Sequence, residues 1–287
     1  MRLGVVGMLP SDFRQITSDH LDAIRALKLT GAAFHAPGAQ LAEVTDAQCQ
    51  QVRQTYADAG MDLPQFGIGF GHCLFDPDEA VRREVIGIIG RGIEVAAQLG
   101  AHTCLIRTGS LNPSGSYSPD RRNHSLEAHR RLVATLRSIA DKAEAEDVHI
   151  VIETHVLTIM DSPETNALVL AEVNSTHMGV VMDYVNHFQA MHQVFNSAPR
   201  LEHIFRFMAP LAPVGHCKDI KMSNGLVTHI DEEIPGDGEL DLAKALGLWQ
   251  TYRPDGYMLL EHLPDEKYPR AAANVHQIIA DAGIPLH

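Results

Sequence analysis

Cysteine is scarce and scattered in this chain: Cys49, Cys73, Cys104 and Cys217 stand alone, and none belongs to a CxxC pair. That argues against a zinc knuckle or a disulfide framework. Positive charge is also short, with 23 Lys and Arg against 36 Asp and Glu and a formal net charge of −13. Nucleic-acid binders gather cations into a stripe that releases counterions, so nucleic acid is not an expected partner. No apolar run is long enough to cross a bilayer, and Met1 leads straight into LGVVGM without the apolar core of a signal peptide. The expectation is a soluble, cytoplasmic protein with no membrane partner. No GxGxxG opens a helix after the first apolar segment, and Gly69-Phe70-Gly71 lacks the third glycine, which argues against a dinucleotide site.

What is present is a regular alternation of period. Strand-type runs are expected at 3–8, 31–35, 61–66, 102–107, 149–153, 178–183, 213–216 and 257–261. Between them helical patterns cover 21–29, 46–59 closed by Gly60, about 77–99 stopped by Gly100, and about 123–146. Alternating β and α with short connections implies a parallel sheet clothed by helices. Eight strands in 287 residues, with 45% hydrophobic residues and no Pro/Ser/Gly-rich linker, predict one closed (β/α)8 TIM barrel over 1–287. A hairpin-like insertion is expected at about 219–240, after strand 7. There Asn224-Gly225 signals a two-residue turn, and the hairpin should hang over the barrel mouth. Cys217 alternates away from its neighbour His216, toward the helical layer.

Four ionisable residues end four of these runs: Glu153, Asp183, His216 and Glu261. Their intervals of 30, 33 and 45 residues approximate the roughly 31 residues of one barrel unit, the last enlarged by the insertion. Barrels of this kind keep their chemistry at the C-terminal ends of the strands. Three carboxylates and an imidazole make a divalent-cation site there; Mn²⁺ suits this donor set best, with Mg²⁺, Co²⁺ or Zn²⁺ also admitted.

These residues, with the strings MDYVNH, GHCKD and EIPGDGELD, resemble the xylose-isomerase-like superfamily of sugar isomerases and epimerases, which includes ketose 3-epimerases, hydroxypyruvate isomerase and inosose dehydratase. The likeness is sharpest over 148–262. Lys218-Asp219 is similar to the HxKD of several members, and Gly236 to Asp241 to a GxGxID segment before the last helix. The resemblance implies a metal bound by Glu153, Asp183, His216 and Glu261 that chelates two oxygens of a sugar or other hydroxy-carbonyl substrate. It also implies that Glu153 and Glu261 form the proton-transfer pair on opposite faces of that substrate. A metal on a carbonyl acts as a Lewis acid for the enediolate, and a carboxylate can bind metal through one oxygen and a proton through the other.

Further candidates surround this set. His155, two residues beyond Glu153, points the same way and is a candidate second base or hydroxyl partner. His187 and Asn186 compete for a substrate-binding role after Asp183; Lys218 is a candidate for a substrate oxyanion or an ion pair with Asp183 or Asp219; Arg107 is a candidate for an anionic group. His35 and His72 are weaker candidates and Trp249 reads as outer packing. The arginine that ketose epimerases carry shortly after the strand-7 His is missing from DIKMSNGLVTHI. Elimination therefore stands beside isomerisation: a lyase of the same superfamily, dehydrating its substrate or cleaving a 3-keto-glycoside, with a partner subunit as one arrangement. An AP endonuclease needs more His and Asp ligands than this chain offers, and a non-catalytic sugar-binding subunit is favoured by nothing in it. Family members imply a homo-oligomer, dimer or tetramer.

Overall fold

In the computed structural model, which describes residues 1–287, the apolar runs form β1 (Arg2–Val6), β2 (Gly31–Pro37), β3 (Phe66–Gly69), β4 (Cys104–Arg107), β5 (Ile150–Glu153), β6 (Met178–Met182), β7 (Val214–Cys217), β8 (Asp219–Met222), β9 (Ile230–Glu233) and β10 (Tyr257–Leu260). Eight of them close a parallel barrel in the order β1-β10-β7-β6-β5-β4-β3-β2, with helices around it. This is the expected (β/α)8 architecture. Helices Asp46–Ala59 and Glu79–Leu99 begin where the Thr45 and Asp78 side chains accept first-turn N–H groups, and both end at a left-handed glycine, Gly60 and Gly100.

Strand parity divides the core in two. Val6, Ala33, Leu105, Val151, Val181, Val214, Tyr257 and Leu259 fill the lumen, while the strand residues between them, Cys217 included, pack outward under the helices, where Trp249 of the helix Leu242–Tyr252 is buried. The same parity, carried to the strand ends, turns Arg107, Glu153, Asp183, His216, Lys218 and Glu261 toward the barrel axis. His35 also points inward from β2, and its partner in register is Gly67 on β3. A Cβ at Gly67 would lie 1.9 Å from His35 Cδ2, so the glycine is there to admit the imidazole.

Several boundaries differ from expectation. β3 begins at Phe66, where the expected 61–66 run ends; Pro64 lacks a ladder donor, and Asp62 makes only an isolated bridge to Gly31. The glycines after Phe66 therefore begin as strand instead of loop. β1 stops at Val6 because Gly7 and Met8 take positive φ. The first helix lies at Ser18–Ala26, three residues earlier than expected, and Lys28 beyond it has φ of 59°. β7 runs one residue further than expected, through Cys217.

The insertion is a hairpin, with β8 and β9 antiparallel and Met222 opposite Ile230. Its turn is not the two-residue Asn224-Gly225 connection. The strands part at Ser223, whose N–H donates to His229 O at 3.1 Å, and a longer loop over 223–229 joins them.

Candidate metal centre and pocket

Glu153, Asp183, His216 and Glu261 converge at the mouth, their ligand atoms all within 4.8 Å of one another and all four residues buried. His216 Nε2 lies 3.1 Å from Gln65 Oε1, so its N–H donates across the barrel and Nδ1 turns toward the acids, 2.7 Å from Glu261 Oε2 and 3.5 Å from Asp183 Oδ2. Metal-ligating histidines commonly use this arrangement, one nitrogen tied and the other free. Asp183 Oδ1 is buried without a hydrogen-bond partner, and His216 Nδ1 and Glu261 Oε2 meet each other and, for Glu261, Lys218. Such groups are costly unless something else satisfies them, and a hard divalent cation fits this set of oxygens and one imidazole.

The charges are tightly balanced. Burial alone would suppress the imidazolium of His216, but Glu261 and Asp183 outweigh it and push the group up to about 9. Burial would likewise raise the Asp183 and Glu261 carboxyls, yet Lys218 and His216 hold both low, Glu261 markedly so. Lys218 Nζ is 2.8 Å from Asp183 Oδ2 and 3.1 Å from Glu261 Oε2, and those acids keep it cationic against burial. It does not pair with Asp219. That carboxylate instead accepts the N–H groups of Ile220, Gly236, Gly238 and Leu240 at 2.8–3.2 Å, which shapes the GDGELD segment into a loop around it.

Glu153 is tethered. Arg107, its partner in register, donates from Nε to Oε2 at 3.0 Å, and the Tyr117 hydroxyl donates to the same oxygen at 2.5 Å. Burial first, then the Glu153 charge, holds the Tyr117 phenol well above its ordinary value, so it stays a donor. Tyr117 comes from the long connection after β4, where no periodicity marks it.

A cavity of about 410 Å³ opens onto the four-residue centre. Its lining mixes polar residues, Arg107, Tyr117, His155 and Asn186, with apolar ones, Val185, Phe188, Ile220 and Ile230, and Glu232 of the hairpin joins them. Asn186 holds the Asp183 carboxylate, donating to Oδ2 at 2.9 Å. His155 lines the cavity, but its Nδ1 accepts the Leu157 N–H at 3.1 Å, so the neutral ring carries its proton on Nε2. It can donate to a substrate oxygen and is not placed to act as a base. His35 is inside the barrel with Nε2 unpartnered, and His72 lies 3.4 Å from Glu84; neither lines the cavity.

His187 requires a correction. It is fully buried away from the cavity, hydrogen-bonded through Nε2 to Thr154 Oγ1 at 3.0 Å, while Arg200 clamps its carbonyl. The helical turn at Val185–His187 brings Asn186 back over Asp183 and swings His187 underneath. Burial pushes the imidazole down to about 3. The unfolded chain therefore binds a proton that the folded one refuses between about pH 6.5 and pH 3, and stability falls as pH drops through that window. His187→Gln is expected to flatten the acid limb by up to about 1.4 kcal/mol per pH unit. Urea unfolding at pH 4 to 7 checks this, and identical slopes in variant and wild type would refute it.

A model of the xylose isomerase-like TIM barrel matches residues 21–279. The chain belongs to that family. Solved structures superimpose along almost its whole length. D-psicose 3-epimerase with D-tagatose from Clostridium cellulolyticum H10 is 13% identical with a TM-score of 0.72, covering 98% of this chain and 99% of that one. The 3-keto-D-glucoside 4-epimerase from E. coli is 14% identical with a TM-score of 0.70 over the same shares. A xylose isomerase-like protein from Mycobacterium smegmatis in complex with magnesium is 14% identical with a TM-score of 0.71, covering 98% and 96%. At these identities the likeness is one of fold. No curated protein sequence matches the chain, and no helix is long and apolar enough to cross a membrane.

Proposed function

We propose that the protein is a divalent-metal-dependent isomerase or epimerase, acting on a sugar or another hydroxy-carbonyl compound by proton abstraction next to a carbonyl. The observation that carries this reading is the buried Glu153-Asp183-His216-Glu261 centre, its ligand atoms within 4.8 Å of one another, beside a sugar-sized cavity. Epimerases among the structural neighbours support it. A divalent cation held by these four residues, Mn²⁺ by preference, supplies Lewis acidity to the carbonyl oxygen.

The chain's own residues supply the rest. Glu153 and Glu261 stand on β5 and just beyond β10, on opposite flanks of the Asp183-His216 pair, as two faces of one substrate require. They are not equivalent. Arg107 and Tyr117 pin Glu153 Oε2 by hydrogen bonds, whereas Glu261 Oε2 faces only the cationic groups of the centre, His216 Nδ1 at 2.7 Å and Lys218 Nζ at 3.1 Å; Glu261 takes the proton once those charges give way to a metal, and Glu153 returns it from a fixed position. Arg107, Lys218 and His155 donate to substrate oxygens, and Asn186, whose N–H groups go to Asp183 Oδ2 and Thr154 O, offers its Oδ1 as an acceptor.

The apolar part of the lining, Val185, Phe188, Ile220 and Ile230, favours a second reading. A free ketose has little to lay against it; a sugar with an apolar substituent does, and the same proton abstraction would then end in elimination.

Metal analysis joined to a deuterium-exchange screen of ketoses, keto-acids and 3-keto-glycosides in D₂O with Mn²⁺ tests both readings. About one divalent ion per chain is expected, with deuterium entering one α-carbon and exchange lost on chelation. A released substituent would select the lyase; a protein without metal or exchange would refute proton abstraction altogether.

A further inference from the structure

Lys218 Nζ reaches three of the four residues of the centre: Asp183 Oδ2 at 2.8 Å, Glu261 Oε2 at 3.1 Å and Glu153 Oε1 at 4.0 Å. Its side chain is only 6% exposed, so water does little to satisfy the ammonium. A fourth carboxylate lies on its other side, Glu232 Oε1 of β9 at 3.7 Å, facing the cavity. We propose that Lys218 is a resident counter-ion of the metal centre, displaced by the divalent cation, and that Glu232 on the hairpin receives it. This rests on the metal-centre reading above and adds an occupant and an exchange to it.

An ammonium and a dication cannot share the same two carboxylate oxygens. They compete for the same lone pairs and repel each other at that separation. The lysine backbone is fixed between the end of β7 and the start of β8, but its stem has four rotatable carbons, and Glu232 is the nearest acid outside the donor set. Loading the centre therefore moves a positive charge from the floor of the cavity to its rim, beside the substrate oxygens. The metal-free protein keeps its buried acids compensated, at the expense of metal affinity.

The test is a calorimetric Mn²⁺ titration of wild type, Lys218→Met, Glu232→Gln and the double variant. Lys218→Met is expected to bind Mn²⁺ at least about tenfold more tightly. Glu232→Gln should weaken binding at least about threefold in wild type and clearly less with Lys218 gone. Equal or weaker binding by Lys218→Met overturns the displacement, and an equal Glu232→Gln effect in both backgrounds overturns the role of Glu232. If neither wild type nor any variant binds Mn²⁺, the metal-centre reading itself fails. A measurement on wild type covers failure of Lys218→Met to fold: acetylation of Lys218 by acetic anhydride, read by peptide mass spectrometry. Reactivity should rise at least about fivefold when Mn²⁺ is added, and unchanged reactivity overturns the proposal.

Discussion

Replacing Glu261 by Gln is expected to lower turnover by about a thousandfold or more and to abolish deuterium entry at the substrate α-carbon. The amide keeps the shape of the side chain but cannot take a proton, and it removes one of the three carboxylate charges of the centre. Its buried neighbours decide the rest. His216 Nδ1 at 2.7 Å and Lys218 Nζ at 3.1 Å both lose their counter-charge, so Mn²⁺ affinity should fall at least about tenfold. Exchange is therefore measured by NMR at saturating Mn²⁺, which separates the loss of a base from the loss of a ligand. Glu261→Gln with wild-type exchange under those conditions would remove Glu261 from the proton-transfer role. Far-UV CD should be unchanged, since no backbone group depends on this carboxylate.

The second large effect is structural and lies one loop away. Asp219 is almost fully buried and is the common acceptor for Ile220, Gly236, Gly238 and Leu240, with Gly236 at φ of 91°. At Gly238 a Cβ would stand 2.3 Å from Asp219 Oδ1, so the loop admits no side chain there. Asp219→Ala leaves four N–H groups without their acceptor. It is expected to cost about 3 kcal/mol or more, a drop in Tm of roughly 6 to 12 °C for a domain of this size. Gly238→Ala should reproduce much of that loss by pushing the carboxylate out. Thermal unfolding decides it: an Asp219→Ala protein melting within about 2 °C of wild type would mean the loop holds without its acceptor.

The candidate metal centre was legible in the sequence because strands alternate. A carboxylate or imidazole at an inward position, just past an apolar run, can only face the axis, so Glu153, Asp183, His216 and Glu261 could be picked out by parity and spacing. Gln65, Tyr117 and Glu232 were not, because each reaches the site across a distance that no local pattern encodes. Gln65 meets His216 from the far side of the barrel, Tyr117 descends from an aperiodic connection, and Glu232 depends on a hairpin register that the Asn224-Gly225 signal misplaced. The choice between Asn186 and His187 turned on one helical turn, which strand parity does not describe. β3 was misplaced for a similar reason. Two of its four residues are glycines, Gly67 required by His35 on the neighbouring strand, and glycine adds nothing to a hydrophobic period.

The hairpin divides the molecule into what is fixed and what is free to vary. The four residues of the candidate metal centre stand at the ends of barrel strands whose neighbours are all fixed, so their positions can scarcely change without dismantling the barrel. Ile220, Ile230 and Glu232, which shape one wall of the cavity, belong to a segment that pairs only with itself and is secured at its base by Asp219. Its outer turn, with Leu226 and Val227 in solvent, carries none of the barrel's packing. That wall can be lengthened, shortened or resurfaced while the four-residue centre beneath it keeps its geometry.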